Sequence, residues 1–127
     1  MVRLLLICLG GALGTGARYL ITGWVPKLLG PSFPYGTLTV NVVGSFLMAL
    51  IMALALATNA IPPTVRLFLT TGVIGGFTTY SAFSYESLAL LQERAWLAFA
   101  LDVGGTVVGC LLAGALGFVV ARVLMGS

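Results

Sequence analysis

The residues best suited to chemistry in this sequence form a short polar cluster inside an apolar segment. Tyr80 and Phe83, accompanied by Ser81 and Ser84, follow directly on a Gly-Gly-Phe-Thr-Thr run. Residues three apart share a helix face, so the two rings are expected to stack, and aromatic rings present positive edges. Such edges beside hydroxyl groups could contact a small anion. Packing is the more frequent explanation of an aromatic pair in a span, and only the polar neighbours favour a site.

Asn41 is a second candidate, deep in another apolar segment. At helical spacing it shares a face with Thr37, Gly44, Ser45 and Met48. A polar side chain within a membrane needs hydrogen-bond partners and is a candidate for function. Its amide nitrogen is a donor, which suits an anion. A hydrogen bond between neighbouring helices explains such a residue equally well.

Three charged residues also fall within apolar segments or beside them. Arg18 lies about two-thirds along the first segment and could attract anions at a vestibule, although anchoring at a helix C-terminus is the preferred explanation. Glu86 could pair with an arginine near a pore mouth. Asp102 is costly to bury in a membrane, so it is expected near the interface or hydrogen-bonded, and the sequence leaves both open.

The composition places these residues in a membrane. Of the 127 residues, 60% are hydrophobic and 7% are charged, and the mean hydropathy is +1.15; a soluble domain has about 25% charged residues. A soluble enzyme and a disordered chain are therefore excluded. Histidine is absent and Cys8 and Cys110 lie in apolar runs, so neither a His/Cys metal cluster nor a disulfide is expected. The net charge of +3 is too small for nucleic-acid binding, which needs clustered basic residues.

The apolar stretches predict four transmembrane helices in a single transmembrane domain covering residues 1–127. A span takes about 20 residues, and Pro/Gly-rich connections that cannot stay helical, the first beginning at Pro26, interrupt the pattern. The predicted spans are residues 2–25, 36–58, 64–91 and 95–124. The first is predicted to be a retained span rather than a signal peptide, because it is too long and lacks an A-x-A-like cleavage site.

The third span is predicted to be broken near Gly75-Gly76. A lipid-facing helix would not concentrate a Gly pair and four hydroxyls at mid-depth, and broken helices are tolerated where the freed backbone is buried or lines a cavity. The break therefore indicates a binding or conduction site. Close helix packing is the alternative, and it is the preferred explanation of the small-residue stripes Gly10-x-x-x-Gly14 and Gly105-x-x-x-Gly109.

The positive charges are nearly balanced between the two sides of a four-span protein. One side would carry Arg3, Arg66 and Arg122, and the other Lys27, Arg94 and, if it reaches out of its helix, Arg18. Since the positive-inside rule needs an uneven count, the chain could insert both ways up. That favours an antiparallel homodimer, in which two copies supply an inverted repeat.

Three motifs, one in each of the first three spans, carry a resemblance to a known family. They are Gly10-Gly-Ala-Leu-Gly14 with Ala17-Arg-Tyr19, Gly36-Thr-Leu-Thr-Val-Asn41-Val-Val-Gly-Ser45, and Thr71-Gly-Val-Ile-Gly-Gly-Phe-Thr-Thr-Tyr-Ser-Ala-Phe-Ser-Tyr-Glu86. Together they resemble the small Fluc (CrcB-like) fluoride channels. The resemblance implies an antiparallel dual-topology homodimer in the cell (plasma or inner) membrane. Two narrow pores would pass fluoride outward passively and reject chloride.

The resemblance also implies roles for residues of the pore. Asn41 would line it and donate to fluoride, and Phe83 would belong to an aromatic box. Tyr80 stands where the family often has Phe, which adds a hydroxyl to that box. Ser81 and Ser84 would belong to the hydroxyl-lined region beside it.

Further roles implied by the resemblance lie away from the aromatic box. Backbone carbonyls of Gly75 and Thr78 at the helix break would hold a structural sodium ion, Na⁺, on the dimer axis. Arg18 would match an arginine near the vestibule. Ala82 stands in place of a frequent Thr, and the fourth span has no Tyr, so the detailed ion path departs from the family pattern.

Two other classes of membrane protein remain open on the sequence. A small proton-coupled multidrug-type exporter would need an embedded carboxylate in the first span, which has no acid. A non-transporting membrane subunit would leave the Gly-Gly run and its hydroxyls unexplained. An enzyme is least expected, since there is no His and no plausible nucleophile–base pair.

Overall fold

The computed structural model describes residues 1–126, which form helices and contain no strand. The helices are α1 (Val2–Leu29), α2 (Tyr35–Ala57), α3 (Pro63–Leu67), a π-helical segment (Phe68–Ile74), α4 (Gly75–Phe77), α5 (Tyr80–Gln92) and α6 (Trp96–Leu124). Within the described chain, α1, α2 and α6 are each long and apolar enough to cross a membrane. The predicted all-helical membrane class is therefore confirmed.

The first helix runs past its predicted end. The sequence predicts a stop at residue 25 because Pro26 follows, and this prediction is wrong: α1 includes Pro26 and ends at Leu29. A proline so close to the C-terminus removes only one backbone hydrogen bond. The N–H of Gly30 donates to the Pro26 carbonyl at 2.8 Å, and Gly30, at φ 94°, then turns the chain out of the helix.

The third apolar stretch is interrupted, but not at the glycine pair. Gly75 has helical angles of φ −59° and ψ −37°, and Gly76 lies within α4. The extended residues are Thr78 (φ −86°, ψ 158°) and Thr79 (φ −150°, ψ 113°), which separate α4 from α5. The predicted break near Gly75-Gly76 is thus displaced to the threonine pair, because the Thr79 N–H binds the Asn41 side chain at 2.8 Å instead of continuing the helix.

Several glycines allow helix backbones to touch. A Cβ on Gly76 would lie 2.5 Å from the Gly11 carbonyl oxygen, and one on Gly14 would overlap the carbonyl of Val73. These contacts seat α1 against the π segment and α4, which confirms the packing interpretation of the Gly10-x-x-x-Gly14 stripe. In contrast, a Cβ on Gly105 would have no atom within 4 Å, so that glycine is not packed within the protomer.

The most extensive contact between two of the described helices is that of α2 with α6. A Cβ on Gly117 would approach the Phe46 carbonyl oxygen at 2.6 Å, so small residues bring these two backbones together as well. The pair stands beside the threonine break, and Asn41 of α2 is buried there. The fold therefore places one polar side chain of a continuous helix next to the interruption in another.

Candidate functional site

Asn41 is bound to the backbone of the helix break. Its side chain is 9% exposed; Nδ2 donates to the Thr79 carbonyl at 3.1 Å, and Oδ1 accepts from the Thr79 N–H at 2.8 Å. This two-point contact fixes which end of the amide is nitrogen. An amide nitrogen carries two hydrogens, so one N–H is left for a further partner.

The two threonines explain why the helix stops where it does. The Thr78 N–H and hydroxyl both donate to the Ile74 carbonyl, at 3.0 and 3.1 Å. Thr79 Oγ1 accepts from the Ala82 N–H at 3.2 Å and so caps the start of α5. Because the Thr79 N–H is directed to Asn41, it does not continue the ladder to the Gly75 carbonyl.

A groove of about 750 Å³ opens between α2, the break and α6. Five polar side chains enter its mainly apolar wall: Asn41, Ser45, Thr78, Thr79 and Thr106. Gly44, Ser45 and Met48 line it together with Asn41, as the shared helix face predicts, whereas Thr37 lines a second cavity instead. A mostly apolar cleft with a few convergent polar groups is the usual form of a small-ligand site.

Tyr80 and Phe83 stand at the edge of this groove. Their ring centroids are 5.6 Å apart with an interplanar angle of 79°, so the predicted aromatic pair is present and meets edge to face. Both residues line the groove, and Tyr80 is 79% exposed in the single chain. The first turn of α5 therefore places both rings along the groove that Asn41 also lines.

Ser81 and Ser84 occupy a different position from that of the rings. Ser81 is exposed and shares a hydrogen bond of 3.3 Å with Thr79 Oγ1. Ser84 is half-buried, and neither serine is among the residues that line the groove. Their predicted contact with an ion stays a prediction.

Arg18 binds the end of a helix. Its Nε donates to the Gly76 carbonyl at 3.1 Å, and the Thr15 hydroxyl approaches the same oxygen at 3.4 Å. The preferred interpretation of Arg18 as an anchor at a helix C-terminus is confirmed, since Gly76 is in the last turn of α4. A vestibule role for the same guanidinium stays a prediction.

Gly75 and Thr78 are the two predicted metal ligands. Gly75 is the first residue of α4, and Thr78 directly follows its last residue. Gly75 is exposed and Thr78 lines the groove. No group of three His, Cys, Asp or Glu side chains occurs within residues 1–126.

Two features of the site are not evident from the sequence. Asp102, for which the sequence allows two placements, is 2% exposed and accepts from the Ser87 hydroxyl at 2.7 Å, so the hydrogen-bonded alternative is correct. Thr106, one turn further along α6, has a buried Oγ1 with no hydrogen-bond partner among the described residues. The spacing of four from Asp102 is the signal that could have placed Thr106 on the same face.

A second cavity, of about 300 Å³, lies beside the α1–α2 connection. Thr37, Glu86 and Glu93 line it together with Phe33 and Pro34. Glu86 Oε1 is buried and has no hydrogen-bond partner in residues 1–126, so the arginine contact expected for it is not made through this oxygen.

Comparisons with known proteins cover nearly the whole chain. A family model described as "CrcB-like protein, Camphor Resistance (CrcB)" matches residues 5–118. A protein of Anaeromyxobacter sp. (strain K) named "Fluoride-specific ion channel FluC" is 56% identical over 126 residues, 99% of this chain and 100% of the relative. Proteins of the same name from Sorangium cellulosum (strain So ce56) and Geobacter metallireducens (strain ATCC 53774 / DSM 7210 / GS-15) are 51% and 49% identical, over 100% and 96% of this chain and 100% and 98% of theirs.

Proposed function

The chain belongs to the CrcB-like family, and from this premise we propose that it is a fluoride-selective channel of the cell membrane that exports fluoride passively and so reduces its toxicity. Full-length relatives at 49–56% identity carry that function in their names. The same names favour a channel over a proton-coupled exporter or a non-transporting subunit. An acid-free α1 also argues against the exporter.

The observation that carries the proposal is the amide of Asn41 held at the helix break. Fluoride is small and strongly hydrated, so a selective path must replace its water with closely spaced donors. Asn41 retains one N–H after binding Thr79, and its orientation is set before an ion arrives. A preorganised donor of this kind costs little reorganisation when it binds an anion.

The aromatic pair supplies the second kind of contact. We propose that the ring edges of Tyr80 and Phe83 face the ion, because these edges carry partial positive charge and the rings line the groove beside Asn41. A large anion gains less from donors set for a small one. Selection against chloride would then follow from the narrow spacing rather than from net charge.

Ser81, Ser84 and Arg18 are proposed to act further along the path. The two serines lie on the same helix as the rings but outside the groove of the single protomer, so an ion would reach them on a surface completed by another copy. Arg18 would attract anions from the vestibule while its Nε holds the Gly76 carbonyl. Half-burial weakens solvent screening of such a charge.

We propose four membrane crossings. Beyond the three long helices, the stretch from α3 to α5 runs from residue 63 to residue 92. At about 1.5 Å per helical residue it is long enough to cross a core of about 30 Å even with one interruption. The freed backbone at the interruption is bound by Asn41, as a membrane requires.

An antiparallel, dual-topology homodimer with two pores is proposed on two grounds. The positive charges are nearly balanced between the two sides of a four-span chain. The groove, with a volume of about 750 Å³, is also far larger than the space that a single dehydrated fluoride ion needs. A second copy packed along it would narrow the path, and reporters fused to the C-terminus of the chain should then be found on both sides of the membrane.

We propose that carbonyls at the end of α4 hold a structural sodium ion. Asn41 takes the Thr79 N–H, which leaves the Gly75 carbonyl without the partner that a continuous helix would supply. Gly75 and Thr78 of two copies would offer neutral oxygens, the ligand type that hard cations take. When bound, the cation would balance the dipoles of these carbonyl groups.

The proposal is tested with liposomes that contain the purified protein and are loaded with potassium fluoride or potassium chloride. Valinomycin starts efflux, and ion-selective electrodes follow each anion against protein-free liposomes. Fluoride release without chloride release is expected. A well-folded protein that releases no fluoride would refute the channel, and equal release of both anions would refute its selectivity.

A further inference from the structure

Helix α5 carries the aromatic pair but is thinly packed. Among the described elements it packs against α2 and α6. Of its 13 residues, Ser87 and Leu90 are the buried ones. Because the hydrophobic contribution scales with the apolar area buried, apolar packing does little to fix where this helix sits. Polar contacts must supply a larger share of its position.

Two polar contacts hold α5, one at each end of the segment that bears the rings. At its start, Thr79 is bound to Asn41 at two points. Further on, the Ser87 hydroxyl donates to Asp102 Oδ2 of α6 at 2.7 Å, where the two residues are 4% and 2% exposed. A short bond to a carboxyl oxygen that is shielded from water is among the stronger hydrogen bonds.

The second contact lies on the same face as the rings. Ser87 follows Phe83 by four residues and Tyr80 by seven, one and two helical turns respectively. A shift or rotation of α5 at Ser87 would therefore carry both rings away from the groove. The contact at Thr79 alone holds only the start of α5. The contacts at Thr79 and Ser87 together also fix the direction of the α5 axis.

Asp102 itself does not touch the proposed ion path. Neither Asp102 nor Ser87 lines the groove or the second cavity. A carboxyl group in an apolar helix is costly to bury, so its presence calls for a function that an apolar residue could not perform. The hydroxyl of Ser87 donates to this carboxylate at 2.7 Å, and Thr106 lies on the same face of α6, one turn further along.

We propose that Asp102 is a positioning residue: by accepting the hydrogen bond of Ser87 it holds α5 so that Tyr80 and Phe83 face the groove. Its effect on ion flow rests on the proposed function, whereas its effect on α5 does not. The hydrogen bond, not the charge, carries the role. A neutral acceptor at the same place should therefore serve as well.

Four variants test this in liposome efflux. D102N keeps an acceptor for Ser87, and its new amide hydrogens can meet the buried Thr106 hydroxyl, so fluoride efflux within twofold of wild type is expected. S87A and D102V remove the contact and should lower efflux at least tenfold. T39V is the control, because the Thr39 hydroxyl donates to the Tyr35 carbonyl of its own helix at 2.7 Å and links no other helix.

Hydrogen–deuterium exchange of the α5 backbone amides supplies a readout that needs no ion flow. Exchange should be at least several-fold faster in S87A and D102V than in wild type, and unchanged in D102N and T39V. D102V could fail to assemble. In that case S87A, which removes a single hydroxyl, is the variant that tests the proposal. Wild-type exchange in S87A would overturn the proposal, as would loss of efflux in D102N alongside normal efflux in S87A. If the variants show the expected exchange pattern but the wild-type protein releases no fluoride, the proposed function is refuted and the role of Asp102 still stands.

Discussion

Replacing Asn41 with aspartate separates the two proposed roles of this side chain, which are binding the Thr79 backbone and donating a hydrogen bond to the ion. The carboxylate keeps an acceptor for the Thr79 N–H but loses the donor that meets the Thr79 carbonyl at 3.1 Å. A buried carbonyl left without its donor costs about 1–3 kcal/mol. Burying the new carboxylate adds about 2.5–3.5 kcal/mol, so the N41D protein should be markedly less stable than wild type, although we expect it still to assemble.

The effect on conduction should be much larger. A carboxylate about 4 Å from a passing anion repels it by roughly 4 kcal/mol at an effective dielectric constant of about 20. Since about 1.4 kcal/mol corresponds to a tenfold change in rate, fluoride efflux should fall by about a thousandfold. Loss of the remaining amide donor acts in the same direction.

The assay is electrode-monitored efflux from liposomes, with assembly checked by size-exclusion chromatography of the same preparation. N59D is the matched control, because it makes the same chemical change at Asn59, in an exposed connection, and should conduct normally. Fluoride efflux from N41D within tenfold of wild type would remove Asn41 from the ion path and refute the reasoning.

Three further predictions concern the helix contacts and the vestibule. G14A should lower the free energy of unfolding by about 1–3 kcal/mol through overpacking against the adjacent backbone; G16A, which faces open space, should not, and equal thermal melts would contradict this. T79A should cost about 0.5–2 kcal/mol by removing the cap of α5, whereas T79S should melt like wild type; a T79S melt as low as that of T79A would show that the hydroxyl is not the cause. R18Q keeps a donor for the helix end, so it should slow fluoride entry several-fold at low salt and much less at high salt; a salt-independent defect would argue against an electrostatic vestibule.

The sequence by itself determined the class of this protein. With 60% hydrophobic and 7% charged residues, the chain can bury its surface only in a membrane. The observed ends of α2 and α6 lie within one residue of the ends predicted from composition. The prediction succeeds there because the apolar runs end where polar and proline residues begin. Asn41 is also identifiable from the sequence alone, since an amide at that depth in an apolar helix needs partners.

Tertiary structure decided where the third stretch breaks and which polar groups meet. The glycine pair marks the right region, yet the extended residues are Thr78 and Thr79, because the Thr79 N–H binds Asn41, 38 positions away in the chain. Similarly, the partner of Asp102 is Ser87, at a separation of 15. Helical periodicity reports which face a residue occupies, but not which face of another helix lies opposite. That choice depends on how closely the glycine contacts let the helices approach, and it exists only in the packed chain.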